Sequence, residues 1–100
     1  MLTKLDVKKI IIPFLQEGAR KKQHFTFSIG ELITLVWQNQ AEEYRRQQEW
    51  RLPNSVHNFI KEFVWDLVAE RIVTPTGKSG MNPSDLHFFV SDDNRHKLSL

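Results

Sequence analysis

Apolar residues recur at helical spacing in the segment that follows Pro53. Because positions three and four apart share one face of a helix, this stripe predicts a buried helix over about residues 56–71. Asn54 and Ser55 are favourable capping residues, and we expect them to begin this helix. The apolar stripe consists of Val56, Phe59, Ile60, Phe63, Val64, Leu67 and Val68.

Two short segments of strand-forming residues follow this helix, at residues 72–75 and 86–91. The residues between them include two glycines and Pro83. Glycine and proline favour turns over regular structure, so the pattern predicts a two-stranded hairpin with a long tip over residues 76–85.

An earlier amphipathic pattern predicts a first helix that Asp6 caps and that stops at Gly18. Within this segment, Pro13 removes one backbone hydrogen bond. Two interpretations remain: one kinked helix, which we prefer, or a second helix with Pro13 in its first turn. The apolar stripe consists of Leu5, Ile10, Ile11, Phe14 and Leu15.

Residues 24–27 alternate and are rich in strand formers, which predicts a short strand at the edge of a sheet or added to the hairpin. Ser28 and Glu31 follow with the spacing of a capping box, so they predict the start of a second helix. This helix is strongly apolar only as far as Gln38. From there to residue 51, Gln, Glu and Arg dominate, and the segment either extends the helix into solvent or forms a polar linker.

The composition fits one globular domain. The chain has 100 residues, of which 40% are hydrophobic, and we expect a domain over residues 1–91 with a flexible tail over residues 92–100. The absence of cysteine excludes a disulfide framework and a thiolate metal site. No apolar run approaches the ~20 residues that span a bilayer, and the first six residues are not typical of a signal peptide. We therefore expect a cytoplasmic protein with no membrane partner.

Positive charge is concentrated near the start of the chain. The formal net charge is +2 overall, whereas residues 1–22 carry six basic and two acidic residues, a net charge of +4. Such a segment can contact phosphates, or it can be the solvated face of the first helix. The sequence leaves both interpretations open.

No constellation of residues indicates catalysis. Gly77, Lys78 and Ser79 resemble the end of a phosphate-binding loop, but Ile72 stands where that loop needs its first glycine. The histidines show no paired metal-ligand spacing. They are His24, His57, His87 and His96. We expect no enzyme activity, no cofactor and no metal.

The predicted order of helix, strand, helix, helix, strand and strand resembles that of a winged helix-turn-helix domain. The resemblance covers about residues 5–91, and it implies an α+β fold with three helices and a small antiparallel sheet of two or three strands. The polar stretch over residues 39–51 departs from the family, which generally has a short turn there. The residues that carry the resemblance are 25–27 in the first strand, 28–38 in the second helix, 55–70 in the third helix, and 72–75 with 86–90 in the wing.

The resemblance implies that the third helix enters the major groove of double-stranded DNA with its N-terminal half. The outward residues of that half are Asn54, His57, Asn58 and Lys61. Their amide, imidazole and ammonium groups can bond base edges or phosphates. The residues expected on the DNA backbone are Lys78 in the wing and, before the helix, Arg45, Arg46 and Arg51. Such a protein would be a transcriptional regulator or the DNA-targeting part of a larger assembly.

Other features of the helices favour a protein partner. Glu62, Asp66 and Glu70 form an acidic stripe, which repels DNA unless it is turned away or answered by basic residues on the first or second helix. Trp65 and one edge of Trp37 fall outside the apolar stripes, which suits a protein interface or a homodimer. The other interpretation is that both tryptophans pack under the polar stretch. The alternative function is therefore a winged-helix interaction or dimerisation module that does not bind DNA.

Overall fold

The structure, a computed structural model, describes residues 2–22, 24–39, 52–78, 85–91 and 96–98. The helices are α1 (Lys4–Lys21), α2 (Ile29–Gln38) and α3 (Asn54–Ala69), and the strands are β1 (His24–Ser28), β2 (Thr74–Lys78) and β3 (Leu86–Ser91). Three helices and one antiparallel three-stranded sheet in this part of the chain confirm the predicted α+β class. No helix within these ranges has the length and apolar character needed to cross a lipid bilayer.

Helix α1 begins with a capping box formed by Thr3 and Asp6. The Thr3 Oγ1 accepts a hydrogen bond from the Asp6 backbone N–H (3.2 Å), and the Asp6 Oδ2 accepts one from the Thr3 backbone N–H (2.9 Å). The prediction that Asp6 is the cap is therefore wrong, because Asp6 supplies the return hydrogen bond from inside the first turn. The two hydrogen bonds lower the pKa of Asp6.

Helix α1 runs past Pro13 and Gly18 to Lys21. The single helix that we preferred is confirmed, whereas the predicted stop at Gly18 is wrong. Gly18 faces the ring of Phe25 in β1 so closely that a Cβ atom at this position would overlap the ring. A larger side chain would push β1 away from α1, so this glycine serves close packing and not a turn.

Helix α2 begins at the predicted capping residue. Ser28 is the N-cap, and its Oγ accepts a hydrogen bond from the Glu31 backbone N–H at 3.1 Å. The helix ends at Gln38, where the apolar pattern weakens. The question of whether the polar stretch is helix or linker falls on residues 40–51, outside the described ranges.

The strands form one antiparallel sheet in the order β1–β3–β2. Phe27 of β1 lies opposite Phe88 of β3, and Pro75 of β2 lies opposite Phe88 on the other side. The predicted first strand thus lies at an edge of the sheet and adds to the hairpin, as expected. The register of β2 against β3 shifts between Pro75 and Gly77, so the pairing of the two strands is irregular there.

Strand β2 lies later in the chain than predicted. Ile72 and Val73 were expected in this strand, but they are buried in the turn that follows α3. Thr76 and Gly77 belong to β2 and not to the tip of the hairpin. β-branched residues favour strands, so local preference placed Ile72 and Val73 in β2, whereas in the structure both are buried before the strand begins.

Helix α3 begins earlier than predicted. Asn54 and Ser55 do not cap it but occupy its first turn, and Pro53 is the N-cap residue. The Pro53 carbonyl accepts hydrogen bonds from the backbone N–H groups of Val56 (3.0 Å) and His57 (3.2 Å). Proline suits a helix start because its φ is fixed and its missing N–H is not required there.

Helix α3 ends in a Schellman motif, two residues before the predicted end. The Arg71 N–H donates to the Val68 carbonyl (3.0 Å), and the Ile72 N–H donates to the Leu67 carbonyl (2.9 Å). Arg71 has a φ of 61°, the left-handed region that favours glycine. Leu67 and Ile72 are both buried, and these are the positions at which the motif usually makes an apolar contact.

The core lies between one face of the sheet and the helices. Phe27 and Phe88 are fully buried, and their rings stack with centroids 5.6 Å apart. Phe25 stacks on Phe27 at 6.2 Å and meets Phe14 of α1 edge-on at 5.8 Å. Buried side chains from α2 and α3 complete this core, among them Leu32, Val36, Val56, Ile60 and Val64.

One residue of the expected C-terminal tail packs with the domain. Leu98 is 2% exposed, and its carbonyl accepts a hydrogen bond from the Gln16 Nε2 at 2.6 Å. Leu98 is therefore held against α1, although it lies within residues 92–100, where we expected a flexible segment.

Replacing Arg71 by glycine is expected to raise the free energy of unfolding by about 0.5–1 kcal/mol, because glycine has no Cβ to strain the left-handed backbone. Urea unfolding followed by circular dichroism measures the change. Arg71→Ala is the matched control, since it removes the charge and keeps the Cβ. Equal stability of the two variants would show that the backbone at this position is not strained.

Candidate nucleic-acid interface

The outward side of α3 carries a row of four exposed residues, Asn54, Asn58, Lys61 and Trp65, which we call the outer ridge. They are four, three and four residues apart, so they lie nearly in line along the helix. At 1.5 Å per residue the ridge is about 16 Å long. The opposite side of α3 is buried in the core, which fixes the direction of the ridge relative to the domain.

The N-terminal half of the ridge has no acidic residue. Residues 54–61 contain Lys61 and two asparagines but neither Asp nor Glu, and the first turn of α3 is likewise free of acidic side chains. Among the residues that the structure describes, Lys61 has no ion-pair partner. The N-terminus of α3 and the ammonium group of Lys61 thus both carry positive charge on this side of the helix, about 10 Å apart along its axis.

The acidic stripe lies on the side of α3 that faces α1. The Glu62 Oε2 is 2.7 Å from the Nζ of Lys4. The hydrogen bond and the charge of Glu62 raise the pKa of Lys4, and the charge of Asp66 adds to this effect. Glu62 thus forms an ion pair with a basic residue of the first helix. Such pairing is one way in which the acidic stripe would repel DNA less.

The other two acidic residues of the stripe, Asp66 and Glu70, line a small cleft together with Lys8 and Lys97. The Lys8 Nζ also lies 5.9 Å from the centre of the Phe63 ring, within the range of a cation–π interaction. Positive side chains from α1 and from the C-terminal segment therefore accompany the acidic stripe. The positive charges of Lys8 and Lys97 reduce the negative electrostatic potential of Asp66 and Glu70 on the side of α3 away from the outer ridge.

His57, the fourth residue predicted to face DNA, lies beside the ridge and is half-buried. Burial lowers the pKa of His57 below its ordinary value of 6.5, and the charge of Lys61 lowers it further. The imidazole is therefore mainly neutral at pH 7. In that form it can donate or accept a hydrogen bond but does not add positive charge.

The two tryptophans differ in their surroundings. Trp65 is 46% exposed, and its ring meets Phe88 edge-to-face at 5.5 Å with an angle of 85°. Trp37 is half-buried and packs against the hydrophobic core. Both tryptophans were predicted at a protein surface. Trp65 is the more exposed of the two residues.

The residues predicted to contact the DNA backbone are only partly described. Lys78 is the last residue of β2, so it stands at the end of a strand and not within a turn. Arg45, Arg46 and Arg51 lie outside the described ranges. Their part in a DNA interface stays a prediction.

Comparison of the chain with protein-family models, with curated proteins and with solved structures finds no match. Within the described ranges, no group of three or more metal-binding side chains comes together. The function has to be inferred from the geometry of the chain itself.

Sequence reasoning missed the pairing of Lys4 with Glu62. The two residues are far apart in the chain, and no local spacing connects them. The available signal was the charge pattern, in which a basic first helix precedes an acidic stripe on the third helix. Only the packing of α1 against α3 determined which residues meet.

We expect the stability of the domain to fall as the pH is lowered below about 7, in part through His57. The unfolded chain protonates this residue near 6.5, whereas the folded chain protonates it only at lower pH. Protonation of His57 therefore lowers the free energy of unfolding as the pH falls from the pKa of the unfolded chain to the pKa of the folded chain. Below the pKa of the folded chain, His57 has no further effect on stability. Urea unfolding between about pH 7.5 and 5 should show a weaker dependence in His57→Gln.

His96→Gln is the control for this measurement, because it removes an exposed histidine and leaves His57 in place. An identical pH dependence in the wild type and in His57→Gln would contradict the lowered pKa.

Proposed function

We propose that this chain is a winged helix-turn-helix protein that binds double-stranded DNA. The N-terminal half of α3 would enter the major groove, and the β2–β3 hairpin would act as the wing on the backbone. One observation carries the proposal: Asn54, Asn58 and Lys61 are exposed on the outer ridge, while the acidic Glu62 is paired with Lys4 of α1.

The arrangement of the elements supports this proposal. Helix α3 packs on α1 and α2 with its apolar side and leaves its other side open to a ligand. It is followed by the β2–β3 hairpin. Strand β3 lies in the centre of the sheet and also pairs with β1, which forms one edge. The three helices and the small antiparallel sheet are compatible with a winged-helix domain, and function within such a fold depends on the exposed residues.

The chemistry of the ridge also supports the proposal. The amide of Asn58 can make paired hydrogen bonds to an adenine edge, and the ammonium of Lys61 can contact guanine or a phosphate. The N-terminus of α3 favours a phosphate group through its free backbone N–H groups. Lys78 and Arg45, Arg46 and Arg51 would add contacts to the backbone, as in a transcriptional regulator or the DNA-targeting part of a larger cytoplasmic assembly.

Fluorescence anisotropy with a short mixed-sequence duplex tests this function at about 50 and 200 mM salt. The wild type should bind at micromolar concentration and more weakly at the higher salt. In this duplex Asn58→Ala should weaken binding, and Lys61→Gln should weaken binding and lower its salt dependence. No binding at low salt by the wild type would contradict the proposal.

Lys9→Gln is the matched control for Lys61→Gln. Both changes remove one exposed lysine, so they alter the net charge equally, but Lys9 lies on α1. Equal loss of affinity in the two variants would mean that the charge of the protein matters and the ridge does not.

The exposure of Trp65 supports a second candidate, a homodimer or protein-interaction module. An exposed tryptophan beside charged residues is a common centre of a protein interface. Sedimentation should then show a concentration-dependent dimer that Trp65→Ala weakens. Leu5→Ala is the control, since Leu5 is 52% exposed on α1. A wild type that stays monomeric at all concentrations would exclude self-association.

A further inference from the structure

Trp65 is held in a defined orientation at the C-terminal end of the outer ridge. Its ring lies edge-to-face against Phe88, and Phe88 is itself fully buried and stacked on Phe27. The sheet therefore supports one part of the indole, while 46% of the residue stays exposed. A ring that is already ordered loses little conformational entropy when a ligand stacks on it.

Trp65 is poorly suited to recognise the sequence of paired bases in a duplex. The indole has one hydrogen-bond donor and no acceptor, so it distinguishes base edges poorly. Trp65 follows Asn58 by seven residues, about 10 Å along the helix axis. If the N-terminal half of α3 contacts base edges through Asn58, Trp65 lies on the half that leads toward the rim of the groove.

A flat aromatic ring at the rim can bind an unpaired base. Bases in a continuous duplex bury their faces against their neighbours, whereas a base freed from pairing offers its face for stacking. Lys61, one helical turn before Trp65, adds a positive charge for the backbone of the strand that carries this base. Asp66, which follows Trp65, lies in the cleft with Lys8 and Lys97 and so has positive side chains beside it.

We propose that the ligand of this surface is DNA in which the duplex opens or ends, with an unpaired base stacked on Trp65 and the adjoining duplex bound by Asn58 and Lys61. This inference rests on the proposed DNA-binding function and names its substrate class. A protein partner for Trp65 is the competing possibility. The positive charge of the exposed Lys61 and the polar Asn54 and Asn58 on the same ridge favour nucleic acid.

The test compares two DNA probes of equal duplex length, one blunt-ended and one forked with short unpaired arms. Fluorescence anisotropy is measured for the wild type, Trp65→Leu and Leu5→Ala at one low salt concentration. The wild type should bind the fork at least about fivefold more tightly than the blunt duplex, the gain expected from one stacked base. Trp65→Leu should bind both probes with the affinity of the blunt duplex, and Leu5→Ala should behave as the wild type.

Leucine at position 65 keeps an apolar cover over Phe88, and thermal unfolding checks that the variant is folded. Tryptophan emission gives a second readout, because a stacked base quenches the indole. Quenching by the forked probe should occur in the wild type and be absent in Trp65→Leu, although Trp37 and Trp50 still contribute to the emission.

The outcomes separate the two proposals. If neither probe binds, DNA binding itself is contradicted and the inference falls with it. If both probes bind equally and Trp65→Leu changes nothing, DNA binding stands and the inference is overturned. The inference is also overturned if Trp65→Leu abolishes self-association and leaves a preference for the fork intact, because Trp65 is then a protein contact.

Discussion

The stacking of Phe27 on Phe88 is the contact on which the rest of the domain depends. It joins strands β1 and β3 through two fully buried rings with centroids 5.6 Å apart. Phe25 extends the row toward α1, and Trp65 meets its other end from α3. Aromatic pairs of this kind contribute roughly 0.5–1.5 kcal/mol each beyond the burial of their area. The same row thus links the sheet to two helices and gives the outer ridge its orientation.

Electrostatics then divides the exposed side of α3 into two parts. The acidic residues face α1, where Glu62 pairs with Lys4, whereas Asn54, Asn58 and Lys61 face solvent. An exposed ion pair of this kind adds little to stability. Its consequence lies in the potential around α3, because the positive charge of Lys4 offsets the negative charge of Glu62 on the side that faces α1.

Several helix ends and strand bounds show why local signals misled. Thr3 and Asp6 are both good capping residues, and only the position of the first turn determined which of them caps α1. Gly18 is typical of a helix end, yet it lies within α1 because the ring of Phe25 leaves no room for a Cβ atom. Ile72 is a strong strand former, but it is buried at the C-terminal end of α3, where its N–H donates to the Leu67 carbonyl. For Gly18 a contact with another element outweighed the local preference, whereas at Thr3 and Ile72 the deciding hydrogen bonds join residues only three and five positions apart.

The sequence by itself determined the class of the domain and the composition of its surfaces. Helical spacing of apolar residues, one capping box and short alternating segments were enough to place three helices and three strands, because period and propensity are local properties. Those patterns also identified Asn54, Asn58 and Lys61 as exposed residues of α3, but they left Trp65 open between an exposed and a packed position. The tertiary structure decided what these residues meet: the pairing of Lys4 with Glu62, the support of Trp65 by Phe88 and the burial of Leu98. Such contacts depend on how separate elements pack together, and the spacing of residues within one element carries no information about them.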